Sequence, residues 1–200
     1  MSAGFLEVPD ANAEAQGLFD QDIAQFGYVT NGSRLWAYQA ATHDRLFDLM
    51  QQQITALGLT TRLRGILVTA CASTLGDSYC SLAWGNKLAA ESDPRTAAGV
   101  IRGDDSQLTA RERALAGWAR KVARDANHIS EADTQALRDV GYSDAEIFAV
   151  TTFVALRIAY ATINDALGAR PDAIYRSSTP EALLDAISYG RPIAEEPPVP

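Results

Sequence analysis

One apolar run, Ala145 to Leu167, constrains this chain more than any other stretch. It is long enough for six turns of helix, but Glu146, Arg157, Asn164 and Asp165 interrupt it. Ser143 and Glu146 stand three residues apart at its start, the spacing at which a hydroxyl and a carboxylate satisfy each other's backbone N–H groups. Gly168 closes it. A membrane span would not carry an arginine and an aspartate within its apolar length, so the run reads as a helix buried inside a soluble protein. A helix of that kind needs other helices around it.

The rest of the chain supplies them. Residues 1–33 look mostly irregular, with a short helix within 10–25. Ser33 is a candidate N-cap for SRLWAYQAA. THDRLFDLMQQQITALG puts Leu46, Leu49, Met50, Ile54 and Leu57 on one face and ends at Gly58. TTRLRGILVTACASTLG forms another helix, and GDSYCSLAWGNK begins the next, running to about Ala90. The polar stretch SDPRTAAGVIRGDDSQ reads as a link. Beyond it, Thr109 with Glu112 opens TARERALAGWARKVARDA with a second capping box, and Ser130 caps EADTQALRDVG. TPEALLDAISYG has Thr179 as N-cap and Pro180 at the first helical position, and the tail RPIAEEPPVP reads as loose. No alternating strand pattern of useful length is present. The expectation is an all-α protein of about eight helices. Its main domain covers 1–176, with an irregular N-terminal segment. A C-terminal helix and Pro-rich tail fill 177–200. The 144–168 helix should pack across both helical halves.

Composition narrows the partners. The 200 residues carry a formal net charge of −8, which argues against nucleic acid or an anionic membrane. The first residues lack a basic start and an apolar core, so no signal peptide is expected. Two cysteines without export suggest reduced thiols in the cytoplasm. His43 and His128 have no Cys, His or Glu at metal-ligand spacing, so both read as solvated or structural, and neither a metal nor another cofactor is implied.

The chemistry-bearing stretch is GDSYCSLAWGNK, residues 76–87. Gly76 and Asp77 form a turn, and Asp77 suits a helix N-cap. Cys80 then lies about three residues into the helix, where exposed N–H groups favour a thiolate. The Asp77 carboxylate acts the other way. Cys80 is therefore either a working thiol or a small core residue. Cys71, in ILVTACA, reads as core. Trp84 lies one turn after Cys80 on the same face, as core packing or as a wall beside the thiol. Arg157 is either an internal ion pair or a pocket charge for an anionic substrate, with Tyr160 three residues on. Capping accounts for Glu112 and Glu146.

The stretch LTTRLRGILVTACASTLGDSYCSLAWGNKLA resembles the core of the carboxymuconolactone decarboxylase and alkylhydroperoxidase D (AhpD)-like family. FGYVTNGSRLWAYQAATHDRLFDLM resembles the segment before that core. LTARERALAGWARKVARDANHISEADTQALRDVGYSDAEIFAVTTFVALRIAYATINDALGARPD resembles the second half of its peroxidase-related branch. Together these cover about residues 25–172. The resemblance implies an AhpD-like helical fold that assembles as trimers, hexamers or related homo-oligomers. In the hydroperoxidase members a Cys-x-x-Cys pair, a following His and a Glu on the preceding helix do the chemistry. On this chain Cys80 matches the second Cys. Asp77 stands at the first Cys, Trp84 at the His and Gly65 at the Glu.

Three expectations follow. The first is an antioxidant, peroxidase-type oxidoreductase using Cys80 as a single peroxidatic thiol. Cys80 would be accessible and of low pKa, in a pocket shaped by Asp77, Tyr79 and Trp84, with Cys71 or an external thiol reductant to resolve it. Its substrate would be a small hydroperoxide. The second is a decarboxylase- or isomerase-like enzyme on a small organic acid, a carboxylated ring, with Asp77 as base and Arg157 as anion anchor. The third is a family member without catalysis that serves as a ligand-binding or oligomeric scaffold.

Overall fold

Caps written in the sequence set most of the helix ends. The computed structural model describes residues 4–10 and 12–195. It contains α1 (Ala13–Phe26), α2 (Asn31–Trp36), α3 (Ala40–Leu57), α4 (Thr61–Leu75), α5 (Ser78–Glu91), α6 (Pro94–Arg102), α7 (Ala110–Asp125), α8 (Glu131–Asp139), α9 (Asp144–Ala166), α10 (Tyr175–Ser178) and α11 (Glu181–Leu184). Eight of these run nine residues or more, in line with the sequence pattern, and no β-strand is present among the described residues. The Thr60 hydroxyl accepts the Leu63 N–H at the start of α4, and both predicted capping boxes, Thr109 with Glu112 and Ser143 with Glu146, are formed. Gly58 and Gly76 end α3 and α4 in the left-handed conformation.

Three segments differ from the sequence reading. The helix expected within 10–25 is present as α1, but the rest of the N-terminal segment is less irregular than read, because α2 starts from a Thr30 cap, three residues before Ser33. The polar link holds a helix, α6, with Asp93 as N-cap, Pro94 in its first turn and Gly103 at its end. Its buried side, Ala97, Ala98, Val100 and Ile101, was masked by the charged residues on either side. Within TPEALLDAISYG only Glu181–Leu184 is helical, and Pro180 takes the cap position. The Thr179 hydroxyl instead accepts from Asn86, and Leu183 is sunk in the main core. Residues 196–200 of the Pro-rich tail lie outside the described residues.

The centre of the molecule is α4. Its residues from Gly65 to Ala72 are all buried, and it packs against α5, α6, α7 and α9. The contact with α5 is close: a Cβ on Gly65 would stand 3.0 Å from the Leu88 Cβ. The α9 helix is long and apolar enough, by length and composition, to cross a membrane. Here it packs against α3, α4 and α7, across both halves of the chain, with Arg157 and Asn164 on its buried side. The α1–α2 segment joins through smaller apolar clusters, one of Leu18, Trp36 and Ala40, the other of Leu35, Tyr79 and Ala169. That segment forms one wall of the cavity described next.

Candidate functional site

The site begins at the α4–α5 turn. Gly76 carries the chain through a positive φ of 76°, and Asp77 caps α5 by accepting the Cys80 N–H at 2.9 Å. This places Cys80 at the third helical position, as the sequence suggests. The C-terminal segment folds back onto the same turn: the Ser78 hydroxyl donates to the Arg191 carbonyl at 2.7 Å. Asp77 is fully buried, and its Oδ2 has no hydrogen-bond partner.

Arg157 arrives from α9. It is only 5 % exposed, and no carboxylate pairs with it among the described residues. One terminal nitrogen donates to the Cys80 sulfur at 3.4 Å and the other to the Met50 sulfur at 3.9 Å, while Nε has no partner. The guanidinium also lies 5.1 Å from the Tyr160 ring centroid and 5.6 Å from that of Trp84, within cation–π range. Of the two roles the sequence left open, the internal ion pair is not formed.

The electrostatics of Cys80 run against a low-pKa thiol. Cys80 is 3 % exposed. Burial pushes its pKa well above the ordinary thiol value and the Asp77 carboxylate adds to the rise, while Arg157 pulls it down. Burial prevails because a thiolate loses its hydration there, so the resting group is the thiol. The accessible, low-pKa thiol expected from the helix N-terminus is therefore not what the fold produces. Burial likewise raises Asp77, against the hydrogen bonds from Cys80 and the charge of Arg157.

Cys80, Arg157, Trp84 and Tyr79 line one cavity of about 350 Å³, within the size range of small-molecule sites. Lys87 and Arg64 line it too, with the Lys87 ammonium 4.5 Å from the Trp84 ring centroid. On the facing wall Tyr79 donates its hydroxyl proton to Asp172 Oδ2 at 2.8 Å and accepts the Gly32 N–H at 3.1 Å. Asp172 Oδ1 accepts the Asn31 N–H at 2.7 Å, which ties the start of α2 to the site. Burial raises the Asp172 pKa to about 6, against the hydrogen bonds from Asn31 and Tyr79. A second cavity, of about 490 Å³, lies beneath the C-terminal segment. There Arg170, Arg176 and Arg191 already donate to backbone carbonyls.

The fold thus gathers Cys80, Tyr79, Trp84 and Arg157 and sets Asp77 directly behind them. Cys71 is buried in the core and is not among the cavity residues; burial raises its pKa to about 12. Sequence reasoning missed His43, Phe47, Lys87, Arg64 and Asp172. His43 stacks on Phe47 at 4.3 Å and meets Trp36 and Tyr160 edge-on, and burial lowers its pKa. His128 is exposed beside Asp125, as expected of a solvated residue. His43 and Phe47 share one face of α3 at i, i+4, the one local signal that pairs them. Among the described residues no group of three or more His, Cys, Asp or Glu side chains could hold a metal.

An all-helical bundle with a single thiol buried at the start of its fifth helix, facing a small cavity, defines the class: the fold is that of the AhpD core. No family model matches the sequence, and no curated protein matches it. Solved structures do. An uncharacterized peroxidase-related protein from Silicibacter sp. TM1040 superimposes with a TM-score of 0.76 at 22% identity, over 88% of this chain and 96% of that one. The AhpD-core peroxidase-related protein from Ralstonia eutropha JMP134 gives 0.74 at 22%, over 88% and 95%. The debrominase Bmp8, solved as a cysteine-to-alanine variant in complex with 2,3,4-tribromopyrrole, gives 0.67 at 18%, over 94% and 98%. The likeness bears out, at the level of the fold, the resemblance read from the sequence. It also shows that this fold carries more than one activity.

Proposed function

We propose that the protein is a peroxidase-type thiol oxidoreductase that works through Cys80 alone and draws on an external thiol. The observation that carries this reading is the 3.4 Å contact between the Cys80 sulfur and the Arg157 guanidinium at the cavity wall. A cation with no carboxylate of its own is matched to a sulfur that becomes anionic during reaction. The thiol loses its proton to solvent, and Arg157 holds the resulting anion. The thiolate then attacks the distal oxygen of a small hydroperoxide. The O–O bond breaks, the alkoxide takes a proton from solvent and leaves as an alcohol, and Cys80 becomes a sulfenic acid. One external thiol condenses with it, releasing water and forming a mixed disulfide. A second releases Cys80 as the thiol. Cys71 takes no part, since it does not face the cavity. A homo-oligomer belongs to the same reading, supported by Phe148 and Ile163 exposed on the outer side of α9.

A second reading has an observation of its own. The raised pKa of a nearly enclosed Cys80 favours a protein that binds a ligand in this cavity without reacting. The decarboxylase reading has less support, because Asp77 is enclosed behind the cavity and is not among its lining residues.

Trapping of sulfenic acid with a dimedone-type reagent after stoichiometric hydroperoxide tests the proposal. Wild type and Cys71→Ala are expected to form the adduct, and Cys80→Ser is not. An adduct that vanishes in Cys71→Ala overturns the role of Cys80 alone. A Cys80 that reacts only after unfolding turns the assignment to the binding protein.

A further inference from the structure

The cavity is polarised, and its two ends are not equally satisfied. At one end Asp172 and Asp22 are occupied: Asp172 takes the Asn31 N–H and the Tyr79 hydroxyl, and Asp22 takes the Thr30 N–H at 2.8 Å. At the other, Arg157, Lys87 and Arg64 gather around Trp84, with Lys87 Nζ 4.5 Å, the Arg157 Cζ 5.6 Å and the Arg64 Cζ 5.8 Å from the ring centroid. None of the three pairs with a carboxylate among the described residues. Arg157 is 95 % enclosed, and its Nε and that of Arg64 are buried with no partner. Burial and the charges of Arg157 and Arg64 lower the Lys87 pKa.

Three crowded cations in a low-dielectric pocket repel one another, and an entering anion would relieve that cost. A guanidinium with an open N–H is matched to a planar, two-oxygen acceptor. The remaining wall is aromatic. Tyr160 stacks on Trp36 with centroids 5.4 Å apart and meets Phe47 edge-on at 5.3 Å. Phe47, Tyr160 and Trp84 all line the cavity. A bare inorganic anion would satisfy the cations and leave these rings against empty space. A neutral arene would do the reverse.

We propose that the cavity selects a small aromatic carboxylate, its carboxylate held at the Arg157–Lys87–Arg64 end and its ring against Phe47, Tyr160 and Trp84. The inference deepens the oxidoreductase reading, resting on it for the view that this organic group belongs to the substrate. Nothing in the recognition itself requires the thiol to react.

Calorimetric titration of the full chain tests it, with benzoate, benzamide and cyclohexanecarboxylate as probes. Wild type and Cys80→Ala are both used, the second because it has no thiol chemistry at this position. Benzoate is expected to bind about tenfold more tightly than benzamide, which lacks the charge, and than cyclohexanecarboxylate, which lacks the planar ring. Lys87 lines the cavity and is only partly buried, so Lys87→Gln should fold. It is expected to weaken benzoate by about threefold to tenfold and leave benzamide unchanged. Equal affinity for benzoate and benzamide overturns the proposal, as do equal affinity for the two carboxylates, equal effects of Lys87→Gln on charged and neutral probes, and no benzoate binding at millimolar concentration. Sulfenic acid trapping at Cys80 with a simple alkyl hydroperoxide is read separately. A failure of aromatic acid binding therefore leaves the thiol assignment standing, and a failure of trapping leaves the binding result standing.

Discussion

The Arg157 guanidinium donates to the Cys80 sulfur at 3.4 Å across 77 positions of sequence, and no carboxylate shares it. A buried arginine without a counter-ion costs stability, and proteins carry such costs at working sites. Arg157→Met keeps the volume and removes the charge. It is expected to raise stability by about 1 kcal/mol and to slow Cys80 alkylation at pH 8 by about tenfold, since one pKa unit corresponds to one decade in thiolate. Arg157→Lys should fall between. Urea denaturation and iodoacetamide kinetics read the two effects separately.

The Asp77 side chain acts on Cys80 twice, by capping its backbone N–H and through its charge. Asp77→Asn keeps an oxygen to accept the Cys80 N–H but removes the carboxylate that raises the thiol. The Cys80 titration is expected to move down in pH, with alkylation faster at any pH below it. Asp77→Ala also loses the cap and should cost about 1 kcal/mol of stability. The pH profile of alkylation, taken with the denaturant midpoint, separates charge from capping.

In wild type the same raised thiol predicts how peroxide reactivity depends on pH. The Cys80 pKa lies well above its ordinary value, so the thiolate fraction at neutrality is small. The second-order rate with hydroperoxide should climb about tenfold per pH unit from 7 to 9, without a plateau. Stopped-flow measurement would show it, and a rate that levels off near pH 6 would mean an activated thiol.

Asp172 couples the N-terminal segment to pH. Its native pKa, about 6, lies above the unfolded value of about 4. Between those values the native state binds a proton that the unfolded chain releases, so this group's contribution to stability falls as pH rises from 4 to 6. On going from pH 7 to pH 4, wild type should gain about 2 kcal/mol relative to Asp172→Asn. Paired denaturation curves at the two pH values check this, and the difference cancels the other carboxylates.

Gly65 stands where the resemblance would put a proton-relay glutamate, and the fold leaves little room there for a side chain. Its missing Cβ faces the Leu88 Cβ at 3.0 Å and the Leu88 Cα at 3.3 Å. Gly65→Ala gains about 1 kcal/mol of helix propensity but forces α4 and α5 apart, at about 1–3 kcal/mol. A net loss is expected in the denaturant midpoint. Gly65→Glu should fail to restore a relay because Leu88 occupies its space.

Helix positions were legible because their signals are local. Thr109 with Glu112, Ser143 with Glu146, Asp77 at the α5 cap and Gly58 and Gly76 at helix ends each act within about one turn, so their spacing in sequence is their spacing in space. Signals of the same kind were present for α6, in Asp93, Pro94 and Gly103, but charged neighbours disguised its apolar side. The site was legible in part: Tyr79, Cys80 and Trp84 lie within about a turn and a half of α5, and Arg157 stood out as a charge in an apolar run. Packing decided the rest. Only the docking of α9 and α3 brings Arg157, Tyr160, His43 and Phe47 to α5, and only the fold of α1 and α2 onto Asp172 closes the far wall. A helix N-terminus by itself predicts an acidic thiol. The tertiary structure reverses that at Cys80, because desolvation depends on every segment that covers a group, and those segments come from the whole length of the chain.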